Sequence, residues 1–192
     1  MENFSLIVEG KEDTRFLQDF IFHHYKRKID RNIFIEVGGK SETLHLSTVK
    51  IQTTSENNTT VLLFDADDND FASTIRTIKS TATKLNLRFD HIFLFPNNGS
   101  GGNLESLLKS SVADGNERLF ACIDDYAKCR DAINLQNPRV ITEKEKLVIY
   151  HGSFEESGNA KATERSYLNT SIWNLNSPSL EPLKEFLATF FA

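Results

Sequence analysis

Cysteine is scarce in this chain of 192 residues, which contains only Cys122 and Cys129. The two residues stand seven positions apart, a spacing that places both on one face of a helix. Two thiols are too few for a structural zinc site, which takes four ligands. We therefore expect reduced, half-buried thiols of the kind found in intracellular proteins.

Long apolar runs are missing as well. No stretch approaches the ~20 apolar residues that cross a bilayer. The segment from Met1 to Phe4 also lacks the basic region and the long apolar core of a signal peptide. The expectation is a soluble, cytoplasmic protein with no membrane partner.

Net positive charge is absent too. The formal net charge is −5, which argues against a protein that coats nucleic acid through a basic surface. It does not exclude an enzyme that approaches phosphates through a bound metal and a local basic patch. The densest basic patch is Lys26-Arg27-Lys28 with Arg31, which we interpret as a solvated helix end.

The most distinctive feature of the sequence is an acidic stretch that directly follows an apolar one. Four apolar residues, 61–64, are followed within six positions by four carboxylates: Asp65, Asp67, Asp68 and Asp70. The apolar part predicts a fully buried strand of a parallel sheet. Crowded carboxylates repel one another, and a divalent cation such as Mg²⁺ is the natural counter-charge.

Strands and helices alternate along the first part of the chain. Apolar runs predict strands at 4–8, 32–37, 61–64 and 90–95, and helical periodicity predicts helices at 13–28, 70–85 and after Asn103. This alternation predicts an α/β fold with an open, mostly parallel four-stranded sheet flanked by helices. We divide the chain into an α/β domain, 1–115, and a mainly helical C-terminal extension, 116–192, packed on it. Within the extension, helices are expected at 119–133 and 180–191, whereas 146–150 fits either a strand or a helix.

Two of the predicted strands end in carboxylates. Glu9 follows the first strand, and Asp65 and Asp67 follow the third. Neighbouring parallel strands bring their carboxyl ends to one edge of the sheet, where open α/β proteins bind ligands. Alternation along an extended chain points Asp65 and Asp67 the same way. We therefore expect both aspartates to hold one cation, with Glu9 as a further ligand or as a general acid/base with a raised pKa.

This pattern resembles the Toprim domain, which type IA and type II topoisomerases, bacterial primases, the RecR recombination protein and OLD-family nucleases share. A Glu-Gly turn, Glu9-Gly10, follows the first strand, and an Asp-x-Asp, Asp65-Ala66-Asp67, follows the third. The resemblance covers about residues 4–110. Gly38-Gly39-Lys40 and the glycine-rich loop before Leu104-Glu105 are similar to small stand-alone bacterial Toprim proteins of unknown function.

The resemblance implies a Toprim-like, Rossmann-like fold. It also implies Mg²⁺, with Mn²⁺ as the alternative ion, held by Asp65 and Asp67, and proton transfer by Glu9 when phosphodiesters of DNA or RNA are broken or joined. The implied function is a Mg²⁺-dependent nuclease or nuclease-like component. The alternative is a non-catalytic binding or regulatory module in a DNA-repair or defence complex. The sequence shows no identifiable tyrosine nucleophile, so it does not support topoisomerase chemistry. It also shows no evident basic channel and no ATPase module, so the chain could act together with a protein partner.

Further residues near this edge are candidate accessory residues, namely Glu105, Asp68, Lys40 and Gly10. Glu105 is expected either to be another metal ligand or to interact with a helix dipole. Asp70 is better explained as a helix N-cap. The loop with Gly99, Gly101 and Gly102 is either a phosphate-binding loop or a plain loop, and it lacks the Gly-Lys-Ser/Thr of a P-loop.

The acidic stretch has three other interpretations. An EF-hand loop would need glycine at Asp70 and glutamate at Arg76. A haloacid-dehalogenase-type phosphatase also places Asp-x-Asp after an apolar strand, but Asn69 stands where that family has Thr or Val. A helix-capping acidic turn without metal is the plainest interpretation, although four acids in six positions are costly to keep unpaired.

Histidine and aromatic residues outside the acidic edge carry weaker signals. His24 shares the apolar stripe of the first helix and is expected to be a core residue. Tyr167 and Trp173 have the ring systems that stack on bases, but we expect them to pack against the C-terminal helix. Lys146 is expected to be a solvated surface residue.

Overall fold

The structure is a computed structural model of the chain. It describes residues 4–38, 48–55, 58–67, 70–133, 136–137, 139–154 and 166–192. Two of the predicted accessory residues, Lys40 and Asp68, lie outside the described residues.

The described part contains the following helices and strands. The strands are β1 (Phe4–Val8), β2 (Phe34–Glu36), β3 (Thr59–Asp65) and β4 (His91–Phe95). The helices are α1 (Lys11–Tyr25), α2 (Thr48–Ser55), α3 (Phe71–Lys84), α4 (Leu104–Lys109), α5 (Arg118–Asp131), α6 (Glu143–Gly152) and α7 (Glu181–Phe191). Short 3-10 helices lie at Arg31–Ile33 and Pro178–Leu180. Among these described helices, none combines the length and apolar character needed to cross a membrane.

All four strands are parallel and lie in the order β2-β1-β3-β4. The central pair, β1 and β3, runs from Phe4 opposite Thr59 to Val8 opposite Leu63. The carboxyl ends of the strands therefore meet at one edge. The prediction of an α/β fold with an open, parallel four-stranded sheet flanked by helices is confirmed.

Apolar side chains cover both faces of this sheet, which explains why its strands read as continuous apolar runs. On one face, Leu6 and Val8 of β1 and Leu63 of β3 pack with α1 and the C-terminal helices. On the other face, Ile7 and Leu62 pack with α2 and α3. Alternation along each strand assigns its residues to the two faces in turn.

The C-terminal segment completes the first of these faces. Phe191 of α7 lies edge-on to Phe4 of β1, with ring centroids 4.9 Å apart. Tyr167 and Trp173 are 3% exposed each and belong to the same hydrophobic cluster. Both residues are packed in the core, but their rings contact Phe16 of α1 and Tyr150 of α6, and packing against the C-terminal helix stays a prediction. His24 also contacts this segment, because its Nε2 lies 3.0 Å from the carbonyl oxygen of Leu175.

The ambiguous segment 146–150 is helical and lies within α6. Thr142 caps this helix by accepting a hydrogen bond from the Glu145 N–H, and Glu145 in turn accepts one from the Thr142 N–H. Its buried residues, Leu147, Tyr150 and His151, follow helical spacing. The capping residues Thr142 and Glu145, which precede the segment 146–150, therefore indicate a helix where the apolar run alone fitted either a strand or a helix.

The thiols are more exposed than expected. Cys122 and Cys129 are both exposed and free on α5. This helix buries Phe120 and Ile123 instead. The expectation of half-buried thiols was wrong, because α5 contacts the body with a narrow stripe only.

Asp70 acts as the N-cap of α3, as expected from the sequence. Its Oδ1 accepts a hydrogen bond from the Ser73 N–H at an N···O distance of 2.9 Å. Replacing Asp70 with alanine removes this acceptor and should lower the free energy of unfolding by about 0.5–2 kcal/mol, measured by urea unfolding. The matched variant Asp70→Asn keeps a side-chain oxygen and should lose much less. Equal losses in both variants would contradict the capping role.

Candidate functional site

Glu9 and Asp65 meet at the carboxyl ends of the two central strands. The Glu9 Oε1 accepts a hydrogen bond from the backbone N–H of Asp65 at an N···O distance of 3.0 Å. The pairing of Val8 with Leu63 makes this contact possible, because it brings the following residues of both strands side by side. The structure thus brings together the two carboxylates that the sequence placed at this edge.

The amino end of α4 holds the Asp65 side chain. The Leu104 N–H donates a hydrogen bond to Asp65 Oδ1 at 2.8 Å. Asn103 caps the same helix by accepting a hydrogen bond from the Ser106 N–H at 2.9 Å. A carboxylate at a helix amino end is electrostatically favourable. This contact also fixes α4, and with it Glu105, next to the strand ends.

These carboxylates border an open cavity of about 310 Å³, which we call the acidic cavity. Its lining combines acidic side chains, two lysines and several small or apolar residues: Glu9, Gly10, Lys11, Glu12, Asp13, Gly38, Asp65, Leu104, Glu105 and Lys144. The structure therefore places the predicted residues Glu9, Asp65, Glu105 and Gly10 around one cavity.

Asp13 is a member of this cluster that the sequence analysis missed. It lies in the first turn of α1, is 8% exposed, and accepts a hydrogen bond from the Gly10 N–H at 3.0 Å. Burial, with a smaller contribution from the charge of Glu9, raises the pKa of the Asp13 carboxyl to about 7. The available signal was its position three residues after Gly10, which is typical of a residue that caps a helix.

The pKa of the Asp65 carboxyl is raised further than that of Asp13. Burial is the main cause that raises the pKa of its carboxyl to about 8, and repulsion from Glu9 raises it further. The hydrogen bond from the Leu104 N–H acts in the opposite direction. At neutral pH Asp65 therefore favours its protonated form and Asp13 is close to half-protonated, and a bound cation would favour the charged forms of both.

Asp67 lies outside the lining of the acidic cavity, as far as the described residues define that lining. Its backbone is left-handed, with φ of 55°, and it forms an isolated antiparallel bridge with Gly102. The extended geometry from which we expected Asp65 and Asp67 to point the same way therefore ends before Asp67. Its role as a metal ligand stays a prediction.

The glycine-rich loop is held by its own hydrogen bonds. Asn97 Oδ1 accepts from the N–H groups of Gly99 and Ser100, at 3.1 and 2.9 Å. The Gly102 N–H donates to the carbonyl oxygen of Asp67 at 2.7 Å. Two of the three glycines proposed for phosphate binding thus donate within the chain. The phosphate-loop interpretation, which includes Gly101, stays a prediction.

The two lysines of the acidic cavity were also missed. Lys11 begins α1 and Lys144 lies in the first turn of α6, and neither forms an ion pair with another described residue. Lys146, in contrast, is paired with Asp124 and Glu143. No sequence pattern joins Lys11 and Lys144, because 133 positions separate them. Only the packing of α6 beside α4 brings Lys144 to the site.

The arrangement of acids limits how a metal could be held. Across the described ranges, no group of three His, Cys, Asp or Glu side chains is positioned to bind a metal ion. Glu9 and Asp65 are nevertheless adjacent, and Mg²⁺ commonly takes only one or two carboxylates, with waters and substrate phosphates as its other ligands. The donor chemistry of this pair fits such a site.

The raised pKa of Asp65 predicts a pH-dependent stability. The folded chain keeps a proton on Asp65 up to about pH 8, whereas the unfolded chain releases it near the ordinary value of 3.8. Without divalent ions, this residue should therefore lower the free energy of unfolding as pH rises from about 4 to 8. The Asp65→Asn variant lacks this effect and should be more stable than wild type at pH 8, by on the order of a few kcal/mol.

Guanidinium unfolding of both proteins at pH 4.5 and pH 8, with a chelator present, measures this difference. Glu12→Gln is the control variant, because it removes a carboxylate from the same cavity. In the wild type this carboxylate is paired with Arg15. A stability gain of Asp65→Asn that does not grow with pH would contradict the assignment.

Gly102 is the glycine of the loop for which a side chain has no room. Its φ is 136°, and an added Cβ would lie 2.9 Å from Pro96 Cδ. Gly102→Ala should lower the free energy of unfolding by about 1–3 kcal/mol, measured by denaturant titration. Gly99→Ala is the control, because the Cβ added at Gly99 would lie 3.7 Å from its nearest neighbour, the Asn97 side-chain oxygen. Similar losses in both variants would show that the close approach at Gly102 is unimportant.

Comparisons with known proteins add one result. Neither the curated proteins nor the solved structures include a significant match to this chain. A family model described as "Protein of unknown function (DUF3226)" matches residues 3–192, which is nearly the whole sequence. The chain therefore belongs to the DUF3226 family.

Proposed function

We propose that this chain is a Toprim-type, Mg²⁺-dependent protein that cleaves nucleic-acid phosphodiesters at the acidic cavity. The observation that carries the proposal is the contact between Glu9 and Asp65 across the two central strands. These two residues occupy the positions at which the Toprim pattern has its glutamate and its first aspartate. Their cavity is open and borders both carboxylates and lysines, as a site for a phosphate and a cation would.

The strand arrangement supports the Toprim interpretation. Both motif carboxylates follow neighbouring central strands of a parallel sheet, at the edge where ligands bind in open α/β folds. Glu105 adds a third acidic group from the amino end of α4. In this proposal the sheet edge is a preformed site, held by backbone pairing instead of by flexible loops.

Mg²⁺ is the proposed cofactor, with Asp65 as the residue that would hold it and Glu9 as either a further ligand or the proton-transfer residue. When bound, the ion supplies Lewis-acid polarisation of the phosphate and charge stabilisation of the leaving oxygen. Burial of Asp65 disfavours its charged form, and a cation would reverse that preference. Asp67 is a further proposed ligand whose contribution has to be tested separately.

Glu9 is the proposed proton-transfer residue. It lies at the cavity surface, and one of its oxygens already orients toward the Asp65 N–H. Lys11 and Lys144 supply positive charge at the same cavity, which would attract the phosphodiester to the acids. The carboxylates then act on the substrate while the lysines position it.

A non-catalytic binding or regulatory role is the second candidate function. One observation favours it: no group of three acids in the described chain is positioned around a common metal. A second supports it, because Asp65 and Glu9 both accept backbone hydrogen bonds that stabilise the fold. In this role the chain would assist the assembly of a partner complex on nucleic acid.

Cleavage assays with Mg²⁺ or Mn²⁺ test the proposal, with supercoiled plasmid and labelled single-stranded RNA as substrates. Glu9→Gln and Asp65→Asn should each lower the cleavage rate by at least ~100-fold, the usual contribution of an acid/base group. A chelator should abolish cleavage of either substrate. Asp67→Asn, assayed in parallel, measures the contribution of the second motif aspartate.

Asp70→Asn is the matched control, since it removes a nearby exposed charge and keeps the helix cap. Full activity of both Glu9→Gln and Asp65→Asn would show that the assigned site is wrong. Metal binding without cleavage by the wild-type protein would favour the binding or regulatory role.

A further inference from the structure

Helix α5 has a second apolar stripe besides the one that it buries. Its inner stripe, with Phe120 and Ile123, packs on the body of the protein. The second stripe, which we call the α5 stripe, lies on the outside of the molecule and consists of Leu119, Cys122, Tyr126, Cys129 and Ile133. An apolar stripe on a helix normally packs against another element.

Most side chains of the α5 stripe are exposed. Tyr126 is 59% exposed, and Ile133, just beyond the carboxyl end of α5, is 64% exposed. Cys122 and Cys129 are exposed and free, and a free cysteine behaves as a small apolar residue. Single exposed apolar residues are common on protein surfaces, whereas a contiguous row of them marks an interaction site.

The spacing of the α5 stripe is the one by which helices pair. Its five members follow one another at intervals of three, four, three and four positions. This is the heptad pattern of the seam between two packed helices. A second copy of the chain presents the same seam, and two identical seams can pack about a twofold axis.

Helix α6 widens this surface. It packs beside α5, where the rings of Phe120 and Tyr150 are stacked with their centroids 5.1 Å apart. A groove of about 480 Å³ is lined by residues of both helices, namely Leu119, Cys122, Ile123, Tyr126, Ile149 and Ser153. Ile149 of α6 is 40% exposed. A side chain of a partner helix therefore finds a mostly apolar groove directly beside the α5 stripe.

The charges of α5 fit a second copy better than a nucleic acid. The helix has three basic and three acidic residues, namely Arg118, Lys128, Arg130, Asp124, Asp125 and Asp131. Its net charge is thus zero, whereas the whole chain has −5. Two copies that meet through α5 therefore do not repel each other along this helix. An antiparallel arrangement also brings Arg118 near Asp131 of the second copy and opposes the two helix dipoles favourably.

We propose that two copies of this chain form a dimer through the α5 stripe, with the two α5 helices antiparallel about a twofold axis. Tyr126, at the middle of the stripe, is the central contact, and the groove of each copy receives side chains of the other. In the described part of the chain, the groove and the acidic cavity have no lining residue in common. The dimer therefore leaves both acidic cavities open, and the inference does not depend on the proposed function.

The size of this surface sets the expected affinity. A helix of 14 residues, such as α5, is ~21 Å long and ~10 Å wide, so α5 and α6 together present a face of roughly 400 Å². Specific interfaces commonly bury about 800 Å² on each partner. We therefore expect a reversible dimer that dissociates in the micromolar range, instead of a permanent one.

Sedimentation velocity over a concentration series, in a reducing buffer, tests this proposal. The chain has a mass of 21.8 kDa, and wild type should shift to twice this mass as its concentration rises through the micromolar range. Tyr126→Asp should raise the dissociation constant at least ~10-fold, because it places a charge at the centre of the interface. Ile149→Asp, on α6, should act in the same direction.

Leu168→Asp is the matched control. Leu168 is also an exposed apolar residue, but it lies outside the α5 stripe and outside the groove, so this variant should dimerise like wild type. The double variant Cys122→Ala/Cys129→Ala keeps the stripe apolar and should also dimerise, which distinguishes packing from a disulfide. Circular dichroism checks that each variant is folded.

The thiols report directly on the stripe, because Cys122 and Cys129 are the only cysteines of the chain. Their rate of alkylation by iodoacetamide, measured by mass spectrometry, should fall several-fold as wild type passes from monomer to dimer. At the same concentrations the rate should stay high in Tyr126→Asp.

A wild-type protein that stays monomeric throughout the micromolar range would overturn the inference. If the thiols of such a monomer were also unreactive, another part of the same chain would be shown to cover the stripe. A dimer that persists in both Tyr126→Asp and Ile149→Asp, with reactive thiols, would place the interface elsewhere and would overturn the inference as well.

Discussion

The parallel pairing of β1 with β3 is the constraint on which the rest of the structure depends. Five consecutive residue pairs fix the register of these strands, and both are buried on both faces. A shift of one residue would move every apolar side chain to the opposite face, so the register is strongly specified. The same register sets Glu9 beside Asp65. The geometry of the candidate site is therefore a direct consequence of core packing.

The buried carboxylates at the carboxyl edge of the sheet lower the stability of the folded chain, which the hydrophobic core raises. Burial raises the pKa values of Asp13 and Asp65 to about 7 and about 8, which means that folding disfavours their charged forms. The hydrogen bonds that Asp13 and Asp65 accept from the N–H groups of Gly10 and Leu104 offset only part of this cost. Places where a sequence departs from favourable local rules are commonly functional sites. This departure agrees with the proposed role of the cluster as a cation site.

Much of the fold follows from the sequence, and the reasons are visible in particular residues. Apolar runs gave all four strands, and Asp70 and Asn103 marked helix starts through their capping side chains. Three site features were not predictable from local patterns. Asp13 lies within a helical periodicity that gave no sign of a site residue. Asp67 has a left-handed backbone instead of the extended one that the strand predicted. Lys144 lies at the cavity only because distant elements pack together. Local signals specify the elements, whereas the contents of the site depend on how distant elements meet.

The contact between Phe4 and Phe191 has a consequence for how the molecule is made. The apolar face of β1 is covered by a helix that lies far away in the sequence, and such non-local contacts form late and slowly. During synthesis, α1 can cover Leu6 and Val8 early, whereas Phe4 lacks its contact with Phe191 until α7 has left the ribosome. The part of the β1 surface around Phe4 is therefore open to intermolecular contacts until α7 has been made.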